Sequence, residues 1–250
     1  MNKNKKGFTL VELLVVIGIL GILMGALFPA ISSAMIKANL SACGMRGRNL
    51  FVAITAANTE REALGLGNVW AKTEPEEGAD SNTDPIGAGQ GNTVEKYFQY
   101  LFDTEKMGQS DWKPYITGGD VSVLSGAGVP PASDPKQIKG KNILWSIAAN
   151  VSDEVDDVVP VLVSRNFPSK KLTTDEYKGT GNEEFKLGAS GDAQHDTPFG
   201  NKAFVIIRKG GGVLQQTSKY ATEQVVYSKQ AFKITKVDGM GEFQYLEPTK

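Results

Sequence analysis

Residues 8–36 read FTLVELLVVIGILGILMGALFPAISSAMI, and this stretch decides the architecture of the chain. From Leu13 to Ile36 it holds 24 consecutive residues without a formal charge. A helix rises about 1.5 Å per residue, so the run would extend ~36 Å, whereas the hydrocarbon core of a bilayer is about 30 Å thick. The run therefore predicts a helix that crosses a membrane once.

Three lysines, Lys3, Lys5 and Lys6, precede the apolar run and set its expected orientation. By the positive-inside rule they stay in the cytoplasm, which places the C-terminal bulk of the chain on the other side. A cleaved secretory signal is the alternative, because Ser-Ser-Ala at 32–34 is similar to a signal cleavage site. The apolar region of such signals is usually about 7–15 residues, however, which is shorter than the run found here.

Glu12 is the one carboxylate of residues 8–36. At the centre of a membrane a carboxylate costs about 2.5–3.5 kcal/mol. Either Glu12 lies near the cytoplasmic interface, where this cost is small, or it is kept for a buried positive partner in an assembly. The uncharged run offers no Lys or Arg, so such a partner would come from elsewhere.

Residues 7–13, GFTLVEL, resemble the prepilin cleavage and methylation motif of type IV pilins and of the pseudopilins of type II secretion. The resemblance implies that a prepilin peptidase cuts after Gly7 and methylates the new amine of Phe8. It also implies that Glu12 neutralises the Phe8 amine of a neighbouring subunit during filament growth. Pro29 corresponds to a proline of the family. The resemblance implies that the stretch before it can lose helicity when subunits pack into a filament.

The resemblance also implies partners and a location. The partners are other pilin or pseudopilin subunits in a homo- or hetero-oligomeric filament, prepilin peptidase, and the assembly platform of the inner membrane. The chain would be a single-pass protein of the bacterial inner membrane, with a cytoplasmic leader and a periplasmic or otherwise extracytoplasmic head, before it enters a filament. Nucleic acid is not an expected partner, because the net charge is −1 and there is no basic excess.

The chain is predicted to have a prepilin leader at 1–7, a transmembrane and assembly helix at 8–64, and a globular head at 65–250. Apolar residues continue at three- and four-residue steps beyond Pro29, which extends the helix. Glycine has a low helix propensity, so the glycines in the range 44–48 predict a break in the helix there.

The head is predicted to be α+β, with a mainly antiparallel sheet packed on the outer half of the helix. Its amphipathic helix spans 94–102 and follows a loop at 65–92. Pro160 places its strand at an edge or at a bulge. Hairpins are expected at 203–216 and at 231–246. Strand-like runs of apolar or β-branched residues lie at 142–149, 158–164 and 203–208.

Catalytic chemistry is not expected in the head, so the chain is predicted not to be an enzyme. A single Cys and a single His exclude an intrachain disulfide and a multi-Cys metal site, and leave few routes to a catalytic triad. We interpret Cys43 as a small buried hydrophobe rather than a site of crosslinking or lipidation, and His195 as a surface loop residue.

A dense acidic cluster is the head's weak candidate for a metal site. It consists of Asp153, Glu154, Asp156 and Asp157, and clustered carboxylates suit a hard cation such as Ca²⁺. The run lacks EF-hand spacing, so a solvated acidic loop is the preferred interpretation and no cofactor is expected. Calcium binding is the alternative.

A subunit of a type II secretion pseudopilus is the function that we favour from the sequence. Residues 160–166 and 197–207 are similar to a head type of pseudopilin-like proteins, and the single Cys disfavours a disulfide-looped major pilin. The alternatives are a type IV pilus pilin and a membrane-anchored binding or enzymatic head that uses a pilin-like anchor.

Cleavage between Gly7 and Phe8 is the first testable prediction. It removes three lysines and changes the formal net charge from −1 to −4, because no acidic residue leaves with them. Intact mass and N-terminal sequencing should give a chain that begins at N-methylated Phe8. A mature chain that begins near Ala34 or Met35 would instead identify a secretory signal.

Overall fold

The computed structural model describes residues 8–103, 116, 137–188, 199–237 and 239–249. Helix α1, Leu10–Ala63, is continuous through Pro29 and through the glycines near residue 45. The expected break at 44–48 is therefore wrong. The helix ends where Gly65 adopts a φ of +71° and the amides of Gly65 and Leu66 bond back to carbonyls of the last turn, a common glycine C-cap.

The chain divides into two compact units, Met1–Ala38 and Asn39–Lys250. The described part of the first unit is helical, and its large apolar side chains are exposed from Phe8 to Met35. The second unit holds the C-terminal remainder of α1 and all of the β-strands. The predicted division between the assembly helix at 8–64 and the head at 65–250 stays a prediction.

The head is built on a five-stranded antiparallel sheet and a separate two-stranded sheet. Helix α2 spans Val94–Asp103 and the short helix α3 spans Glu223–Val226. The strands are β1 Trp145–Ala149, β2 Pro160–Ser164, β3 Glu176–Tyr177, β4 Ala203–Arg208, β5 Val213–Thr217, β6 Phe232–Lys233 and β7 Gln244–Leu246. The order in the larger sheet is β5-β4-β2-β1-β7, and β3 and β6 form the smaller one. The fold is α+β, as the sequence predicts.

The central strands β1, β2 and β4 are buried along nearly their whole length. Their sequences are near-continuous apolar runs rather than alternating apolar and polar residues, which suits strands covered on both faces. Within the second unit, α1 contributes a buried face that includes Leu50 and Ile54. A Cβ atom at Gly47 would lie 2.6 Å from Cη2 of Trp145 and 2.9 Å from the side chain of Ile207. The helix backbone thus approaches β1 and β4 directly, and glycine at this position permits the contact.

Helix α2 confirms the predicted amphipathic segment. Its apolar stripe is buried, and the rings of Phe98 and Phe102 stack with centroids 6.0 Å apart. The stripe consists of Val94, Tyr97, Phe98, Leu101 and Phe102. These aromatic side chains are therefore core residues rather than a platform for a ligand.

Pro160 does not lie on an edge strand, because β2 is the middle strand of the sheet. The alternative of a bulge is confirmed, since the register with β4 shifts between Pro160 and Leu162. Pro160 is the first residue of β2, where a missing N–H removes no ladder bond from the strand interior.

The hairpin predicted at 203–216 is confirmed by β4 and β5, whereas the one predicted at 231–246 is wrong. Strand β6 pairs with β3, and β7 pairs with β1. The physical reason is long-range packing: Phe232 joins Tyr177 and Tyr227 in a ring cluster with centroids 4.7–5.9 Å apart. Tyr245 is buried elsewhere, and its hydroxyl donates to the Pro160 carbonyl at 3.0 Å.

Two truncated chains test whether the head needs the helix. A chain beginning at Asn39 should be soluble and should unfold cooperatively. A chain beginning at Gly65 loses Leu50, Phe51 and Ile54, each worth about 1.5–3 kcal/mol when buried, out of a typical total of ~5–15 kcal/mol. It should aggregate or melt at a clearly lower temperature by circular dichroism. Equal melting temperatures would show that the sheet does not depend on α1.

Candidate functional site

The N-terminus of α1 is closed by a reciprocal pair of side chains, Thr9 and Glu12. The backbone N–H and the hydroxyl of Thr9 both donate to Glu12 Oε2, at 2.9 and 2.7 Å. The Glu12 backbone N–H donates to Thr9 Oγ1 at 3.3 Å. This arrangement is a capping box, with Thr9 at the N-cap position and Glu12 three residues later.

The capping box gives Glu12 a role inside its own chain that sequence analysis missed. The signal was available, because Thr-x-x-Glu before an apolar run is the pattern of a capping box. A carboxylate in the first turn is also favourable beside the positive end of the helix dipole. Glu12 can therefore be retained for helix initiation, for pairing with a neighbouring subunit, or for both.

Phe8 lies just before the helix and its side chain is 75% exposed. The bond that precedes Phe8 joins it to Gly7, which lies outside the described residues. Pro29 lies inside α1, and the residues on both sides of it are helical in the single chain. Loss of helicity before Pro29 on assembly stays a prediction.

The first unit exposes an apolar surface along the whole described helix. Helix α1 is long and apolar enough to cross a membrane. Soluble proteins rarely expose a contiguous apolar surface of this extent unless it binds lipid or protein. The surface includes Leu10, Leu14, Ile17, Leu20, Ile22, Leu23, Met24, Leu27, Phe28 and Ile31.

Comparison with known families finds a motif in the same N-terminal segment. Residues 2–28 match the family model of the prokaryotic N-terminal methylation motif. The match includes Gly7, Phe8 and Glu12, and it confirms that this segment carries the prepilin-type motif of type IV pilins and pseudopilins. No curated protein and no solved structure matches the chain.

The match defines the class of the N-terminal segment, residues 2–28: it carries the motif found at the N-terminus of pilin-like proteins, on a helix long and apolar enough to cross a membrane. It implies processing by a prepilin peptidase and assembly with other pilin subunits. The matched range ends before Pro29, so what the head does has to be argued from the geometry of the head itself.

The acidic loop at 153–157 is organised by Lys209. Its ammonium donates to the backbone carbonyls of Asp153 and Val155 at 2.5 and 2.6 Å. Asp156 is half-buried and its Oδ1 accepts the backbone N–H of Val158 at 2.9 Å. The ammonium of Lys209 therefore already occupies two backbone carbonyl oxygens of this loop, which the sequence could not indicate because Lys209 is distant along the chain.

The carboxylates of Asp153, Glu154 and Asp157 are exposed. Within the described part of the chain, no three His, Cys, Asp or Glu side chains converge as a metal site would require. Calcium binding at 153–157 stays a prediction, and a rise in melting temperature on addition of Ca²⁺ is its test. Cys43 is completely buried, whereas His195 lies outside the described residues.

A buried network of charges fastens the loop that follows α1. Arg61 Nη2 lies 2.7 Å from Asp84 Oδ2, and Lys72 Nζ lies 2.7 Å from Glu76 Oε1. Burial lowers the pKa of Lys72, and the hydrogen bond with Glu76 partly offsets this effect. Loss of one partner would leave a buried charge uncompensated, so we interpret the network as structural.

Replacement of Lys209 tests the organisation of the acidic loop. Lys209→Ala removes two charge-assisted hydrogen bonds and should lower the free energy of unfolding of the head by about 1–2 kcal/mol. Amide exchange at Val155 and Val158 should become faster than in the parent protein.

Lys202→Ala is the matched control, because Lys202 is an exposed lysine just before β4. It should leave both the melting temperature and the exchange of the loop amides unchanged. If Lys209→Ala behaved like this control, the ammonium would not hold the loop.

Proposed function

We propose that this chain is a structural, non-enzymatic subunit of a type II secretion pseudopilus. A prepilin peptidase cuts after Gly7 and methylates the amine of Phe8, and the mature chain enters the filament through α1. The observation that carries the assignment as a filament subunit is Glu12, an ionisable group kept at the start of an apolar helix that the described part of the chain leaves uncovered. The motif match over residues 2–28 supports it.

The hydrogen bonds of Glu12 among the described residues leave room for a second partner. Both bonds from Thr9 end on Oε2, so Oε1 can receive the amine of another subunit. A free α-amine has a pKa near 8 and is mostly protonated at neutral pH. Opposite charges at ~4 Å attract far more strongly in a low-dielectric bundle than in water. The pair would fix the axial register between neighbouring subunits.

The proposal includes an orientation and a set of partners. The chain crosses the bacterial inner membrane once, with the lysines of the leader in the cytoplasm and the head on the other side. The assembly platform of the inner membrane would draw it into a filament of like or related subunits. The apolar surface of the first unit would exchange lipid contacts for contacts with neighbouring helices.

A type IV pilus pilin is the second candidate, since the same N-terminal chemistry serves both assemblies. The single Cys supports the pseudopilus, because it excludes a head loop closed by an intrachain disulfide. Deletion of the chain should impair protein secretion while surface pili remain. Loss of surface pili with normal secretion would select the pilin alternative.

Substitutions at Glu12 and Thr9 separate helix capping from subunit pairing. Glu12→Gln keeps a side chain that suits the third position of a capping box but removes the charge. We expect Glu12→Gln and Glu12→Val to insert and to be processed, because loss of the carboxylate makes membrane residence easier. Both should fail to enter filaments, as measured by the amount of protein in sheared filament fractions.

Thr9→Val is the matched control for the cap. It keeps the shape of the side chain and loses the hydroxyl that bonds to Glu12, so it should still assemble. Incorporation of Glu12→Gln at the wild-type level would contradict the ion pair. Failure of Thr9→Val together with normal assembly of Glu12→Gln would show that the cap is what matters.

A further inference from the structure

Strand β5 is an open edge of the larger sheet. It pairs with β4 on one side and has no strand on the other side among the described residues. The Arg208 amide donates to the Gly212 carbonyl directly opposite it, which fixes the alternation of bonded and non-bonded pairs along the ladder. Val213, Gln215 and Thr217 therefore point their backbone N–H and C=O groups away from β4. Three successive ladder positions are free to pair with another strand.

The sequence of β5, VLQQT, does not protect this edge. Natural edge strands are usually short, bulged, charged or covered, because an open ladder is a template for pairing with another chain. Strand β5 keeps an unbroken register with β4 and contains neither Lys nor Pro. At the opposite edge, β7 has only 3 residues, and Glu247 just after it is held by Ser169 and Lys170. One edge of the sheet is therefore protected and the other is not.

Exposed apolar side chains lie beside the open edge, on α1. Gly44 faces β5, because a Cβ atom there would lie 3.0 Å from Cγ1 of Val213. Arg48 follows Gly44 by one helical turn. Met45 and Val52 lie three residues before and four residues after Arg48, so the three side chains form one stripe. Met45 and Val52 are 65% and 54% exposed. A strand added to β5 would pack side chains against this stripe.

These groups define the chemistry of a partner. Alternate backbone N–H and C=O groups recognise an extended chain, as in other cases of recognition by strand addition. Arg48 is exposed and has no ion pair among the described residues, so it would attract a carboxylate. Met45 and Val52 favour apolar side chains on the same face of the added strand.

The open edge does not suit a second copy of this chain. Antiparallel pairing of two β5 strands needs a two-fold axis perpendicular to the sheet. Helix α1 lies along the face of the sheet, where Gly47 approaches Trp145 and Ile207, so this axis would make the two α1 helices run in opposite directions. Chains anchored from the same side of a membrane cannot pair in that way. The other edge strands of the described residues, β3, β6 and β7, have at most 3 residues.

We propose that β5 accepts a strand from a different pilin-like subunit of the same filament, which extends the larger sheet by one strand. The strand bonds to the outward groups of β5, places a carboxylate beside Arg48 and covers Met45 and Val52. This inference rests on the proposed function, because it requires a filament that contains more than one kind of subunit.

Thr217→Pro tests the pairing in filaments purified from cells that carry the full chain. Thr217 has a φ of −79°, which proline adopts, and its N–H points outward, so the substitution removes a donor only from the open edge. Tyr220 follows β5 and is 46% exposed, so the photo-crosslinker benzoylphenylalanine replaces it in every variant. We expect a crosslink to a different chain with a prepilin-type N-terminus. Thr217→Pro should weaken this crosslink about five- to tenfold and leave the melting temperature unchanged.

Thr217→Val is the matched control, because it keeps the N–H and should crosslink like the parent. Hydrogen exchange is the second readout: the outward amides of β5 should exchange at least about tenfold more slowly in filaments than in the separate chain in detergent. Slow exchange in the separate chain, equal crosslinking by the two Thr217 variants, or a crosslink to a second copy would overturn the proposal. If the chain enters filaments and β5 stays unpaired, this inference fails alone. If the chain never enters filaments, the proposed function fails with it.

Discussion

The apolar surface on the first part of α1 is the constraint on which the rest of the structure depends. From Phe8 to Met35 its large side chains are exposed, and nothing in the described chain covers them. Each such side chain gains about 1.5–3 kcal/mol when it leaves water, so the surface must be covered by lipid or by other subunits. A membrane anchor that can be transferred into an assembly satisfies this constraint, and the matched methylation motif lies on the same residues.

The second part of α1 has the opposite surroundings. Within the unit Asn39–Lys250 its inner face is core, and the close approach at Gly47 places the helix backbone against Trp145 and Ile207. The central strands are buried on both faces and need this cover. The two parts of the helix therefore have different roles. The first part exposes its apolar side chains to lipid or to other subunits, and the second part buries its inner face in the core of the head.

Local patterns predicted the features that depend on neighbours in the sequence, and these were confirmed. The periodicity of α2, the hairpin of β4 and β5, and the membrane-length helix are of this kind. The pairing of β6 with β3 could not be predicted, because it depends on rings that meet only in the folded chain. The capping box of Thr9 and Glu12 was readable from Thr-x-x-Glu, whereas the ammonium of Lys209 on the acidic loop had no local signal.

The pairing of Glu12 with a neighbouring amine is the central claim of this account. Electron cryomicroscopy of filaments formed by the mature protein measures it most directly. The account predicts a carboxylate oxygen of Glu12 within ~4 Å of the Phe8 amine of an adjacent subunit, a distance at which opposite charges attract strongly away from water. A filament in which Glu12 bonds only to Thr9 of its own chain, with the neighbouring amine elsewhere, would contradict it.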